Sequence, residues 1–505
     1  MFCCFHRGTA APALPGRYRR AAAWLLLAML AAPAAQADDD DTRRLLDDAS
    51  RTMEQFERPE WTPLQPQGEL SVIVDGQPYR LERTLQDLEP ALYIAINTGQ
   101  WNTVRALVEA YRQLDGHEPH LALMAEGLAA RHAGDYGAAI ERLERAHDAA
   151  PDDMRTQMEL ARAYAEDNQD REARRLFERA LSNSLPADTR DLLQQYVDAV
   201  DERGRWQGSM ALGVGHSDNV NQANGYRQCA WDFAGHCLGW LELPEPMDSP
   251  FMRYDLVASK RIALGSHHNL LIRPVSHGTL YRERAEASAT LENYSDNTSL
   301  LYLGYQFANA RLTANLLPYV ENYYRNGRTS YRAPGLQTNW RYFLTPKLRL
   351  SLQAGIKRLH YRGEDSELYA DYTRKTSSLT AAYYLGDSTQ LYGGIDFHRN
   401  DYANEVHSSE ERAFRAGVFH RRQDIGVFAN LMVQRKHFEN DAHNFFYGVR
   451  REDTQDAVIA TLGFPKLSIF DAYPELRFKH VDNDSNTIHH GYRQNEVTLQ
   501  WRLNF

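Results

Sequence analysis

The chain has 505 residues, a formal net charge of −10 and 43% apolar residues, with a mean hydropathy of −0.59. After residue 37 no stretch approaches the roughly 20 apolar residues that a membrane-crossing helix needs, which excludes a helical membrane protein. The acidic balance argues against a nucleic-acid partner, which needs a basic face. A transmembrane β-barrel stays open, because its strands alternate apolar and polar residues and average out as hydrophilic.

Residues 1–37 are predicted to be a leader. Arg7, Arg17, Arg19 and Arg20 form a positive start, an apolar run follows from Ala21 to Ala35, and Ala35-Gln36-Ala37 precedes four aspartates. This is the layout of a secretory signal peptide, with cleavage expected between Ala37 and Asp38. Losing four arginines and no acids takes the formal charge to −14. Cys3 and Cys4 leave with the leader, and Cys229 and Cys237 remain in a polar segment. In an oxidising compartment such an isolated pair closes a loop. Zinc is the rival, weakened by the lack of two matched partners.

Residues 38–90 read as an N-terminal extension containing a β-like stretch, Leu70 to Val74, and a turn at Asp75-Gly76. Residues 91–200 read as helical repeats, with apolar residues at three- and four-residue spacing. From His120 to Asp153 stand Gly127, Ala129, Gly134-Asp135-Tyr136, Ala139, Leu143, Ala146 and Pro151. The same frame returns with Ala163, Tyr164, Ala173, Phe177 and Ala180, and a degenerate unit surrounds Thr98 to Trp101. The pattern resembles tetratricopeptide (TPR) repeats, which stack because one repeat cannot bury its faces alone and which leave a concave groove. Arg131, His132, Arg162 and Glu166 fall on the expected groove side and are candidates for holding a peptide. A plain solvated helix face is the alternative for each.

At Trp206 the period becomes two and tyrosine, asparagine and glycine rise. The last segment is the clearest: Val497, Leu499, Trp501, Leu503 and Phe505 alternate with Thr498, Gln500, Arg502 and Asn504. About 14 such strands are predicted over 206–505. Their connections alternate strictly between long and short, with short ones at Gly265-Ser266, Asn309-Ala310, Pro346, Asp387-Ser388, Gln423-Asp424 and Pro465 to Phe470. A soluble sandwich has no reason for that alternation. An outer-membrane barrel does, with long loops outside and short turns in the periplasm. An even strand count returns both barrel ends to the periplasmic side, where the helical repeats must then lie. The predicted fold is therefore α plus β in two domains, an N-terminal TPR-like α-solenoid and a C-terminal transmembrane antiparallel barrel in the outer membrane of a Gram-negative bacterium. Cys229 and Cys237 fall in the first and longest outside loop.

No enzyme constellation stands out: there is no G-x-S-x-G, H-E-x-x-H, phosphate-binding glycine loop or C-x-x-C. Gly215-His216-Ser217-Asp218 reads as a strand end entering a loop, and the pairs His267-His268 and His489-His490 put adjacent side chains on opposite faces, a poor start for a metal site. No cofactor is expected, and the histidines are expected at the surface.

Leader, a few TPR units and a barrel of about 14 strands, with the barrel entry Trp206 to Asn221 (WQGSMALGVGHSDNVN), together resemble the surface lipoprotein assembly modulators, the Slam family. The resemblance covers essentially the whole mature chain. It implies translocation of client proteins, surface lipoproteins or secreted haem- and metal-acquisition proteins, with the repeats receiving the client and the barrel acting at the membrane. The terminal Trp501, Leu503 and Phe505 look like the signal read by the barrel-assembly machinery, although the glycine usual in that signal falls at Gln500. Outer-membrane lipids complete the expected partners. Two other readings compete, a TPR-barrel exporter of polysaccharide and a diffusion porin with a periplasmic adaptor.

Overall fold

The structure is a computed structural model that describes residues 40–48, 70–183, 185–233, 236–282, 294–325, 327–445 and 448–505. The predicted cleavage site at Ala37 and Asp38 lies outside the described residues.

Residues 40–48 form a short helix, α1. A hairpin follows, β1 (Ser71–Val74) and β2 (Gln77–Arg80), turning at Asp75 and Gly76, both at positive φ. Seven helices come next: α2 (Leu85–Asn97), α3 (Trp101–Tyr111), α4 (Pro119–His132), α5 (Tyr136–Ala149), α6 (Met154–Glu166), α7 (Asp170–Leu181) and α8 (Ala187–Arg203). The repeat motif explains the local geometry. Gly134 sits at φ 75° just after α4, where a left-handed residue ends a helix without steric cost. Asp135 then caps α5 by accepting from the Ala138 N–H. Asn168 occupies the equivalent turn of the next repeat at φ 59°, the conformation that asparagine tolerates best after glycine.

Inside the stack the small residues set the helix spacing. A Cβ added at Gly127 would lie 2.7 Å from Leu143 Cγ, so α4 and α5 approach as closely as they do only because residue 127 has no side chain. Ala125, Ala139, Leu143, Ala146, Ala161, Ala173, Phe177 and Leu193 are all buried in one continuous core.

From Trp206 onward the chain is β. Fourteen strands close a barrel in the order β3 (Trp206–Ser217), β6 (Ser249–Gly265), β7 (His268–Tyr281), β8 (Asp296–Ala308), β9 (Leu312–Arg325), β10 (Arg328–Thr345), β11 (Leu348–Tyr361), β12 (Tyr372–Tyr384), β13 (Thr389–Tyr402), β14 (Ser409–Arg422), β15 (Val427–Asn440), β16 (Glu452–Gly463), β17 (Ala472–Ser485) and β18 (Tyr492–Asn504), which returns to β3. Every seam is antiparallel, and all neighbours are consecutive except β3 and β6. Between those two, in the longest loop, stands a separate hairpin, β4 (Arg227–Phe233) and β5 (His236–Glu242). The period-two signal did not resolve this hairpin. Cys229 and Cys237 are joined across it, with Cα atoms 5.7 Å apart. A one-turn helix, α9 (Asp365–Leu368), decorates another long loop.

The barrel is inverted relative to a soluble protein. Along β18 the buried residues are Gln494, Glu496, Thr498, Gln500 and Arg502, while Val497, Leu499 and Trp501 are exposed. Lipid replaces water on the outer face, so apolar side chains point out and polar ones line the lumen. The closing seam pairs Glu496 with Ser217 through to Asn504 with Ser209, and Gly208 and Phe505 exchange two backbone hydrogen bonds of 2.6 and 3.0 Å. The missing glycine at Gln500 finds its counterpart here. Gln500 faces Gly213 across the seam, and a Cβ at Gly213 would lie 2.6 Å from that of Gln500, so the small residue stands on the partner strand.

Two outcomes test this packing. Gly127→Ala overpacks the α4–α5 contact and should cost about 1–3 kcal/mol, read as a lower thermal midpoint of the helical domain. Leu336→Arg puts a charge on the outward face of β10, between Pro318 and Ile356, and should cost about 2–4 kcal/mol if near the bilayer midplane. Urea unfolding followed by the heat-modifiable gel mobility of the barrel would measure it.

Candidate functional site: the lumen and its helical collar

The helical domain is fixed to one end of the barrel, the end bearing the short turns. Only Gly204 and Arg205 separate α8 from β3, and two successive repeat turns rest on the rim. Gly134 O accepts from Arg311 at 3.0 Å. In the next turn Asp167 accepts from the Ala310 N–H at 3.0 Å and contacts His267 Nε2 at 2.8 Å. Asp170 pairs with Arg203 of its own domain at 2.9 Å and with Arg261 of β6 at 2.5 Å. Glu172 accepts from the Ser266 N–H at 3.0 Å. Asp167 and Asp170 are buried, so these are charge-assisted bonds shielded from solvent and stronger than surface pairs.

The groove-side candidates are largely engaged with one another. Arg131 of α4 binds Glu159 at 2.5 Å and Glu166 at 3.6 Å, and Arg162 lies 3.5 Å from Glu159 and 4.0 Å from Glu166. Burial works against the Arg131 charge, but Glu166 and Glu159 outweigh it and hold the guanidinium pKa above its usual value. His132 stacks on Trp101 with ring centroids 5.1 Å apart, and burial, then Arg131, push its pKa below the ordinary histidine value. The structure therefore brings Arg131, Arg162 and Glu166 together as a bridge between α4 and α6. Arg162 and Glu166 keep about a third of their side-chain surface, 35% and 37%.

Sequence reading missed the lumen. Its wall carries paired charges: Lys357 with Glu321 at 2.8 Å, Arg415 with Asp396 at 3.2 Å, Arg502 with Glu475 at 2.9 Å, and Arg374 with Glu411 at 3.5 Å. Gln500 joins Glu475 at 2.5 Å. His277, His398 and His490 are buried, contrary to the expectation that histidines lie at the surface, because polar residues on barrel strands face inward. A cavity of about 310 Å³ remains between this wall and the helical domain, with Asn168 and Arg203 of the collar and Arg273, Arg349 and Gln434 of the barrel among its lining.

Helix α1 lies inside the barrel. Asp41 binds Arg253 at 2.7 Å, Asp40 binds Lys436 at 2.5 Å, Arg43 binds Asp396 at 3.0 Å, and Asp47 binds Arg415 at 3.0 Å. Thr42 is hydrogen bonded to His277 at 2.8 Å. Leu45 is buried against Val257, Leu271, Val275, Leu300, Tyr302 and Leu317. The Asp38–Asp41 run was read only as the sequel to a cleavage site. The signal available in it was the DDTRRLLDD pattern, which places opposite charges three apart and pairs Asp40 with Arg43 and Asp41 with Arg44. At the other end of the chain, Trp501 and Phe505 are exposed on the outer face and Leu503 is half-buried.

If the collar depends on Asp170, Asp170→Ala leaves Arg203 and Arg261 without their shared carboxylate and should cost about 1–3 kcal/mol. Hydrogen exchange should then rise across residues 167–172 and the 264–267 turn while the rest of the barrel stays protected.

The family model for the surface lipoprotein assembly modifier matches residues 206–505, and the model for the N-terminal TPR repeats of that same group matches residues 74–177. The hemophilin secretion modulator of Acinetobacter baumannii is 23% identical over 431 residues, covering 82% of this chain and 84% of that protein. Two proteins of Neisseria meningitidis serogroup B, surface lipoprotein assembly modifiers 2 and 1, are 25% and 24% identical, covering 85% and 86% of this chain and 88% and 85% of theirs. With a 14-strand barrel whose outer face is apolar, a TPR collar and a family model matching the entire barrel, the chain is an outer-membrane protein of the surface lipoprotein assembly modifier family.

Proposed function

We propose that this protein carries specific client proteins across the outer membrane to the cell surface, the helical domain receiving them in the periplasm and the barrel acting at the membrane. The observation that carries this reading is the collar: a repeat domain of a peptide-binding type is locked by Asp167 and Asp170 onto the short-turn rim of a 14-strand barrel. Short turns are periplasmic in barrels of this class, so the collar faces the compartment from which a client arrives. Fixing receptor and pore in one chain gives a captured client a high effective concentration at the lumen.

The client class follows from the relatives, whose names speak of surface lipoproteins and of hemophilin secretion. It comprises surface lipoproteins and secreted haem- or metal-acquisition proteins. Arg162 and Glu166, the more accessible half of the ion bridge, are the client-contact candidates, with Arg131 and His132 holding them in place. Trp501, Leu503 and Phe505 on the lipid-facing side of the last strand would be read by the barrel-assembly machinery. The Cys229–Cys237 staple stiffens an outside hairpin, and export begins with cleavage between Ala37 and Asp38. The work is transport and needs no catalytic residue or cofactor. No group of three His, Cys, Asp or Glu suited to a metal ion occurs among the described residues.

The test is surface display. Candidate clients, first those encoded beside this protein, are co-expressed with it and labelled on intact cells. Client should appear outside only when the protein is present, and the Asp167→Ala/Asp170→Ala variant should lower display several-fold while its barrel still assembles. Client that stays inside for every candidate, with a correctly assembled barrel, would reject the reading in favour of polysaccharide export or passive diffusion.

A further inference from the structure

The lumen wall holds more charge than a barrel needs for its own stability, and part of that charge points at α1. The strands that bind α1 sit on opposite sides of the ring. Arg253 is on β6 and His277 on β7, the second and third strands counted from β3, whereas Asp396, Arg415 and Lys436 are on β13, β14 and β15, the ninth to eleventh. In a ring of fourteen, strands seven places apart face each other across the lumen. Helix α1 therefore bridges the barrel from wall to wall.

The chemistry of the contact is that of a bound ligand. A helix of nine residues is marginal on its own, so the lumen holds it in shape. Both of its ends carry acids, Asp40 and Asp41 at one end and Asp47 and Asp48 at the other. The first pair suits the helix dipole and the second opposes it. Each end meets wall cations: Lys436 and Arg253 at the first, Arg415 at the second. Between them Arg43 reaches the wall carboxylate Asp396. One apolar contact, Leu45 against Leu300, Leu317 and Val257, fixes which face turns to β6–β9. A hydrophobic core would hold an element permanently through burial. Charge-assisted bonds spread over two walls can instead be exchanged for those of another charged segment or of water.

We infer that the inner wall of the barrel is a peptide-binding site for a short helix with paired acids at its ends and a basic centre, and that residues 40–48 occupy it as a plug that closes the barrel. Under the proposed function, on which this step alone rests, the plug must leave the site for a client to pass, and its link to the helical domain through residues 49–69 makes its return fast. Closure itself requires no client, so the experiment below can fail without touching the transport reading, and the transport reading can fail without touching the plug.

The experiment is conductance in planar bilayers with the purified full-length protein and a variant lacking residues 40–48. Heat-modifiable gel migration first establishes that the variant barrel is folded. The intact protein should be nearly closed and the deletion variant should conduct severalfold more. A synthetic peptide of residues 40–48, added to both chambers, should close the deletion variant in a saturable way. The same peptide with Asp40→Lys and Asp41→Lys, which would meet Lys436 and Arg253 with like charge, should bind at least about tenfold more weakly. The inference is overturned if the folded deletion variant conducts no more than the intact protein, or if both peptides block equally well.

Discussion

Every feature of this molecule answers to one constraint: in a bilayer no strand edge may be left without hydrogen-bond partners. Lipid offers neither donor nor acceptor, so the sheet that begins at Trp206 can stop only where it meets itself. The last strand does so within a residue of the chain end, where Phe505 and Gly208 exchange backbone hydrogen bonds. Closure then fixes the sidedness of every residue. With lipid outside, alternation sends Leu499 and Trp501 out and Thr498, Gln500 and Arg502 in, and a lumen accumulates the polar side chains that a soluble protein would leave in water. Those side chains have lost bulk water, so they pair with one another: Glu475 alone serves both Gln500 and Arg502. The ion-lined channel is thus a consequence of the closed ladder before it has any use.

How much of this was legible follows from the range of each interaction. The repeat motif is local. Gly134 ends one helix, Asp135 starts the next, and Gly127 sets how near they stand, all within one 34-residue frame, so the α-solenoid could be read. Strand alternation and the spacing of short and long connections are also local, and they gave the count of fourteen. The β4–β5 hairpin was hidden because its seven-residue strands sit in a polar loop and carry no lipid-facing run. The collar and the lumen helix were hidden for a different reason. Asp170 meets Arg261, and Asp40 meets Lys436, across 91 and 396 residues of sequence, and a single charged residue gives no sign of which distant charge it will find. Arg131, Arg162 and Glu166 show the same limit in milder form: their helix face was legible, but not that they would bind one another.

The collar has its own physical logic. Two repeats present equivalent turns to the barrel, Gly134 on Arg311 and the segment Asp167 to Asp170 on the β6–β7 turn. A single contact would leave a hinge, whereas two contacts from a stiff stack define an orientation. The positive φ values of Gly134 and Asn168 serve both ends of this arrangement. They terminate the helices of the repeat, and they expose the carbonyl and side-chain acceptors that the rim arginines reach.

A wall of this kind also limits how the molecule can move. Widening the barrel would break a whole seam at once. Even the shortest seam, β18 on β3, pairs nine residues, and each bond broken inside the bilayer leaves groups with no solvent to turn to. Motion that keeps the ladder intact is far less costly. The lumen helix meets this condition, because its bonds to Arg253, Lys436, Asp396 and Arg415 join side chains and none belongs to the ladder. The freed charges would still need partners, and the wall supplies some already: Lys436 lies 3.7 Å from Glu411, Arg415 lies 3.2 Å from Asp396, and Arg253 lies 4.0 Å from Glu496. Each cation that would lose an acid of the helix has a wall carboxylate beside it. The barrel is therefore built so that its occupant can change while its frame does not.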